Sequence, residues 1–251
     1  MKKLVIQIPC WNEEADIART LYSLPMQVEG FDVTETLVID DGSTDQTVFE
    51  ANKAGAHHII TLNRHEGLAA AFETGVHYAL SIGASVVINT DADNQYCASG
   101  IQDLVKPILQ EKIDMVIGDR NTSKLGFLPF WKKLLYRIAA HVITWIIRTK
   151  APDPTSGFRA MTRNFISEIS LKDRHSYTIE TLLQAVFTGR KVKFVSVRTN
   201  PVTRPSRLIK STLIYIFKTS WAMVYAIFTY AVKPKCLRLF FLKQVVLEGQ
   251  D

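Results

Sequence analysis

The chain of 251 residues has little cysteine: Cys10, Cys97 and Cys236 are odd in number and widely spaced. Such usage excludes a disulfide framework and a cysteine metal site, and it fits a reduced compartment. Internal repeats and low-complexity segments are lacking. So are zinc-ligand spacings, an aromatic RNP-type stretch and a helix-turn-helix signal, which argues against nucleic acid as a partner. The start, Met1-Lys2-Lys3, has no secretory pattern. Its apolar run breaks at Gln7 and reaches Asn12-Glu13-Glu14 without a small-residue cleavage site, as a first strand would.

Acidic residues are scarce in the second half. Residues 126–251 carry 6 Asp+Glu against 21 Lys+Arg, while residues 1–125 carry 18 against 9, so charges of +15 and −9 lie behind the net +6. An acidic half with carboxylates for a metal, joined to a basic half, fits a phosphorylated substrate held between them. The basic half also suits an anionic membrane surface. With 47% hydrophobic and 22% charged residues the balance is that of a globular protein with one large core or two small ones.

Up to about residue 120, strand and helix patterns alternate. Strands are expected near 3–9, 34–40, 57–62, 84–90 and 113–118, with helices near 13–24, 44–54, 66–82 and 99–111. Such alternation implies a parallel sheet covered by helices. Three of the strands run into polar or acidic clusters: Pro9-Cys10-Trp11-Asn12-Glu13-Glu14, Asp40-Asp41-Gly42-Ser43-Thr44-Asp45 and Asp91-Ala92-Asp93-Asn94-Gln95. In an open parallel sheet the carboxyl ends of the strands border the ligand crevice. On an extended chain Asp91, Asp93 and Gln95 share one side. Their hard oxygen donors suit Mg²⁺ or Mn²⁺ held jointly with substrate phosphates. Helix capping by Asn12, Ser43 and Thr44 is the competing reading, although it does not account for Gln95 or the paired Asp40-Asp41. Gly67–Phe72 opens a small-residue helix that serves either close ligand approach or packing on the sheet.

The second half differs in character. Residues 127–149 form a helix pattern with Lys, Arg and His among aromatic and apolar residues, including Trp131 and Trp145; it suits either a membrane interface or the core. Residues 211–232 are long enough to cross a bilayer, yet Lys218 and several hydroxyl residues favour a helix lying on the membrane or packed in a homo-oligomer. Lys233, Lys235 and Arg238 would then sit among headgroups.

With these clusters followed by Gly118-Asp119-Arg120 and Ser156-Gly157-Phe158-Arg159, the chain resembles the family 2 glycosyltransferases over about residues 3–210. Within them it is similar to the dolichyl- or polyprenyl-phosphate sugar synthases. The resemblance implies a GT-A α/β fold, mainly parallel and flanked by helices, as a catalytic domain over 1–210. A C-terminal helical segment for membrane association or oligomerisation would follow over 211–251. It implies inverting transfer of a sugar from a GDP- or UDP-sugar to a polyprenyl phosphate at the cytoplasmic membrane face, peripherally or with one C-terminal embedded helix. A glycan or other hydroxyl acceptor is the alternative.

Carried over residue by residue, Pro9, Trp11 and Glu13 border the nucleoside, with Trp11 standing where a tyrosine is usual. Asp41 contacts base or ribose beside Ile39. Asp91-Ala92-Asp93 holds metal and diphosphate, and Gln95 completes the shell. Arg120 reaches toward sugar or phosphates. Asp153 takes the acidic position near the acceptor, as a base or as an orienting group. Arg204 and Arg207 form a diphosphate-closing loop in which Pro205 interrupts the usual glycine-containing spacing. His175–Glu180 is expected to shape the acceptor side, although Glu180 also suits a helix N-terminus.

Overall fold

The computed structural model describes residues 1–121, 130–171 and 177–201. The elements are β1 (Lys3–Cys10), α1 (Ile17–Ser23), β2 (Val33–Asp40), α2 (Thr47–Lys53), β3 (His58–Thr61), α3 (Leu68–Ser81) and β4 (Val86–Asn89). After them come α4 (Gly100–Glu111), β5 (Met115–Asp119), α5 (Phe130–Ile147), β6 (Arg159–Thr162), α6 (Arg163–Ile166), α7 (Thr178–Phe187) and β7 (Val192–Ser196). The alternation expected to residue 120 is present. Helices α1 and α2 begin later than their patterns suggest, after loops whose backbone N–H groups are met by side chains of the opposite loop. The Glu13 N–H donates to Thr47 Oγ1 at 2.7 Å, the Thr44 N–H to Asn12 Oδ1 at 2.8 Å and the Gln46 N–H to Glu14 Oε2 at 2.9 Å. Two strand-end loops thus brace each other.

Among the described residues seven strands form one sheet in the order β3-β2-β1-β4-β6-β5-β7. All neighbours pair in parallel except β6, which runs antiparallel to both β4 and β5. The chain winds outward from β1 through β2 to β3, then crosses back to place β4 on the other side of β1. Strand order therefore reverses between β1 and β4, where a crevice opens at the carboxyl ends.

Alternation along the strands divides the core. Val5, Leu37, Ile39, Val87 and Ile117 face α3, α5 and α7, while Leu4, Ile6, Ile88, Val116 and Ala160 face α4. A smaller cluster of Ile8, Cys10, Val38, Ile17 and Ala51 packs α1 and α2 beneath the first strand ends. Both sheet faces are buried, which explains the nearly continuous apolar strands. In α3, Ala69 and Ala71 are buried in the core, so the small residues there serve packing. Among the described residues no helix is long and apolar enough to cross a membrane. Residues 211–232 and the domain boundary at 210/211 lie outside the described residues.

Helix α3 approaches the sheet closely at Gly75, where a Cβ would lie 2.6 Å from Gln7 Oε1 and 2.7 Å from Ile39 Cδ1. Replacing Gly75 by Val is expected to destabilise the fold by about 1–3 kcal/mol, because overpacking outweighs the small gain in helix propensity. Urea denaturation of the variant checks this, and an unchanged midpoint would show that the helix can move away.

Candidate active site

Three strand ends meet at the β1/β4 crevice, and their acids do different work. Asp40 is fully buried, and its carboxylate accepts the Ser43 N–H at 3.3 Å. Asp45 accepts the Thr47 N–H at 3.0 Å and the Glu14 N–H at 3.2 Å. Burial raises the Asp45 pKa, but the Thr47 hydroxyl, which also donates to Oδ1, and these N–H groups hold the carboxyl below its usual range. Asp41 accepts the Glu66 and Gly67 N–H groups at 2.7 and 2.9 Å and lies 2.8 Å from His65 Nδ1. Gly42 makes this clasp possible: its φ is +67°, and a Cβ there would meet the Arg64 carbonyl carbon at 2.6 Å. Capping and loop closure therefore account for Asp40 and Asp45, and Asp41 shapes the 64–67 loop.

On this clasp the Trp11 ring stacks against His65 with centroids 4.1 Å apart. The pair forms an aromatic wall on the β1 side of the crevice. Pro9 and Ile39 pair across β1 and β2 and are buried beneath it. Glu13 sits in the braced loop, its carbonyl accepting the Asp16 and Ile17 N–H groups.

The β4 side differs from extended-chain expectation. The strand ends at Asn89, and Ala92 and Asp93 form a turn followed by Asn94 at φ +54°. Simple alternation therefore does not align Asp91, Asp93 and Gln95; the turn sets their relation. The Thr20 hydroxyl pins it by donating to the Ala92 carbonyl at 2.7 Å, and Asp93 Oδ1 accepts the Gln95 N–H at 3.1 Å. Desolvation and the neighbouring Asp93 carboxylate raise the Asp91 pKa, while Arg120, the Tyr96 hydroxyl and Arg159 counter them. Two mutually repelling carboxylates at a crevice are a fit for a divalent cation, which would relieve that repulsion. No group of three or more His, Cys, Asp or Glu converges among the described residues. Mg²⁺ or Mn²⁺ bound there would take its remaining ligands from Gln95, water or substrate phosphate.

The motif Ser156–Arg159 backs this turn. A Cβ on Gly157 would lie 2.8 Å from Asp91 Oδ1 and 2.9 Å from the Tyr177 hydroxyl. The Gly157 N–H donates to the Tyr96 hydroxyl at 3.1 Å, and its carbonyl accepts from Asn89 Nδ2 at 3.0 Å. Asn89 Nδ2 also donates to the Tyr177 hydroxyl at 2.7 Å, and Asn89 Oδ1 accepts from Gln7 Nε2 at 3.0 Å. Tyr177 stacks on Phe72 at 3.9 Å. Tyr96, Asn89 and Gln7 had no functional signal in sequence, since each reads there as an ordinary strand or loop residue. Glu180 falls in the first turn of α7, buried.

Arg120 and Asp153, thirty-three residues apart, form a two-pronged ion pair: Nε to Oδ2 at 2.7 Å and Nη2 to Oδ1 at 2.9 Å. The Thr155 hydroxyl donates to Asp153 Oδ1 at 3.1 Å. Burial alone would raise the Asp153 pKa, but the Arg120 charge and hydrogen bonds hold it below the usual carboxylate range. Asp153 is thus a weak base while the pair is closed. Arg204 and Arg207, with His175 and Ser176, lie outside the described residues.

A mainly parallel sheet with one antiparallel strand, helices on both faces and acidic strand ends at the switch point define a GT-A nucleotide-sugar-binding fold. The chain belongs to glycosyl transferase family 2, whose model matches residues 5–170. It is 34% identical over 206 residues to an uncharacterized protein of Methanocaldococcus jannaschii, covering 78% of this chain and 81% of that one. A UDP-N-acetylglucosamine–dolichyl-phosphate N-acetylglucosaminyltransferase of Methanococcus voltae is 26% identical over 211 residues, covering 76% and 82%. Glucosyl-3-phosphoglycerate synthase from Mycobacterium tuberculosis, solved with Mn²⁺, UDP and phosphoglyceric acid, shares the fold with a TM-score of 0.70. That match has 19% identity and covers 93% of this chain and 80% of the other.

Two outcomes follow from the geometry. Arg120→Ala is expected to cost about 3–5 kcal/mol, because it strands a buried carboxylate. In the wild type the depressed Asp153 pKa contributes stability that is present above its unfolded value, about 3.9, and fades as pH falls through the folded value. The variant should lose this contribution, which denaturation between pH 3 and 7 measures. Gly157→Ala should leave the fold intact but displace the Asp91 carboxylate, lowering sugar transfer about 100-fold, the scale for misplacement near 1 Å. Initial rates beside circular dichroism test it.

Proposed function

We propose that the protein is a metal-dependent inverting glycosyltransferase that moves a sugar from a GDP- or UDP-sugar to a polyprenyl phosphate at the cytoplasmic face of a membrane. The observation carrying this reading is the Asp91/Asp93 pair at the switch crevice, between the Trp11–His65 wall and the Arg120–Asp153 pair. The dolichyl-phosphate acceptor in the name of the Methanococcus relative supports the choice of acceptor class.

In this mechanism Pro9, Trp11 and Glu13 border the nucleoside, and Asp41 contacts its base or ribose with Ile39 beside it. Asp91 and Asp93, with Gln95, would hold Mg²⁺ or Mn²⁺, which would supply charge to neutralise diphosphate oxygens. The acceptor oxygen attacks the anomeric carbon from the face opposite the diphosphate. The new carbon–oxygen bond forms as the bond to the leaving group breaks, and no covalent enzyme intermediate is needed. Arg204 and Arg207 would close over the departing diphosphate with charge-assisted donors.

A phosphate-monoester oxygen is already anionic at neutral pH, so the acceptor requires no strong base. The closed Arg120–Asp153 pair supports this assignment: Asp153 orients Arg120, which faces sugar or phosphate. A hydroxyl acceptor would instead require Asp153 as a general base, against its depressed pKa.

Turnover of radiolabelled nucleotide sugars with polyprenyl phosphate and Mn²⁺ tests the proposal, with label expected in the organic phase. Label confined to water-soluble glycan would replace the lipid acceptor with a hydroxyl one. Asp93→Asn is expected to abolish metal-dependent transfer with the fold retained. Undiminished, still metal-dependent turnover in that variant would remove Asp93 from the ligand set.

A further inference from the structure

Among the described residues helix α5 shows two apolar faces, of which one packs in the core. Ile143 and Ile147 are buried in the large cluster shared with α7. On the outward side, Leu134, Ile138, Val142 and Trp145 are 45, 51, 36 and 81% exposed. Their spacing of four, four and three aligns them in one stripe along the helix. The stripe is about 17 Å long at 1.5 Å per residue. A solvated helix facing only water has no use for such a second apolar stripe.

The charge around the stripe indicates what covers it. From Asn121 to Pro152 the sequence contains no Asp or Glu, but it contains Lys124, Lys132, Lys133, Arg137, Arg148 and Lys150. Arg137, His141 and Arg148 are exposed on α5 and immediately beyond it. Apolar side chains among bases, with no acids, complement an anionic bilayer surface: the stripe enters the acyl boundary while the cationic heads remain at lipid phosphates. A second copy fits less well, because a two-fold contact through this face would oppose like charges.

The position of the helix links this face to the site. The Ala151 N–H donates to Thr144 Oγ1 at 3.0 Å, tying the Trp145 end of α5 to the turn that carries Asp153. Asp153 in turn holds Arg120. We propose that α5 lies flat in the headgroup layer of an anionic membrane, with Leu134, Ile138, Val142 and Trp145 inserted. The Arg120–Asp153 end of the crevice then stands at the lipid surface. The inference rests on the lipid-acceptor reading for its purpose, and it assigns a membrane contact that does not depend on residues 211–241.

The full chain is tested by cosedimentation with vesicles of phosphatidylcholine containing phosphatidylglycerol, beside phosphatidylcholine alone. Wild type should bind the anionic vesicles and retain part of that binding in high salt. Ile138→Glu with Trp145→Glu should lower partitioning at least about tenfold, since it replaces two inserted apolar groups by acids. Folding, read by circular dichroism, and transfer to a water-soluble short-chain polyprenyl phosphate should persist in this variant. Brominated lipid should quench wild-type fluorescence more than that of Trp145→Phe, a readout that needs no charge substitution. Undiminished vesicle binding by the double variant would overturn the proposal. So would equal quenching, or a wild-type dimer that the substitutions dissociate without any vesicle binding. Intact, stripe-dependent vesicle binding with no transfer to any polyprenyl phosphate would overturn the acceptor assignment and leave the membrane surface standing.

Discussion

The guanidinium of Arg159 is buried, with no carboxylate in an ion pair with it among the described residues, and the back of the crevice depends on how it is satisfied. Its Nε donates to the Ser156 carbonyl at 3.1 Å, while Nη1 donates to the Thr178 carbonyl and Thr181 hydroxyl at 2.9 and 2.8 Å. Nη2 also donates to the Ser156 carbonyl. A buried cation costs several kcal/mol unless its donors are met, so these partners are drawn together as a set. One set of bonds thereby joins the 153–156 turn, the antiparallel strand β6 and the start of α7. Gly157, held in the middle, presents its missing side chain to Asp91.

The acids around the crevice differ in how the fold satisfies them. Asp40, Asp41, Asp45 and Asp153 find hydrogen-bond donors or an arginine within the fold, and each closes a loop or a turn. Asp91 and Asp93 also accept hydrogen bonds, from the Tyr96 hydroxyl and the Gln95 N–H, yet they repel each other, and the charges of Arg120 and Arg159 offset part of that repulsion. The acids suited to a cation are the pair that face one another at the crevice.

The fold also gives α5 a double role. One face completes the core against α7, and the other presents apolar and basic groups outward. Arg120, just after β5, and Asp153, six residues beyond α5, pair as ions, so the segment that carries the helix is closed at the crevice. Anything that holds α5 at a surface therefore orients the crevice as well.

Strand and helix alternation to residue 120, the parallel sheet and the acidic strand ends were legible because β-branched runs and turn residues act locally. The family motifs were legible for a related reason: each is a short segment at a strand end. The antiparallel β6 and edge strand β7 gave no comparable signal, since their few residues owe their conformation to partners far along the chain. The turn at Ala92–Asp93 also defeated strand alternation, because Thr20 pins it from another element. By itself the sequence determined which residue types stand at each strand end. Tertiary structure alone decided that Arg120 meets Asp153, that Asp41 serves the 64–67 loop, and that Tyr96, Tyr177 and Gly157 surround Asp91. These pairings depend on burial and on donors brought together across many residues, which local spacing does not encode.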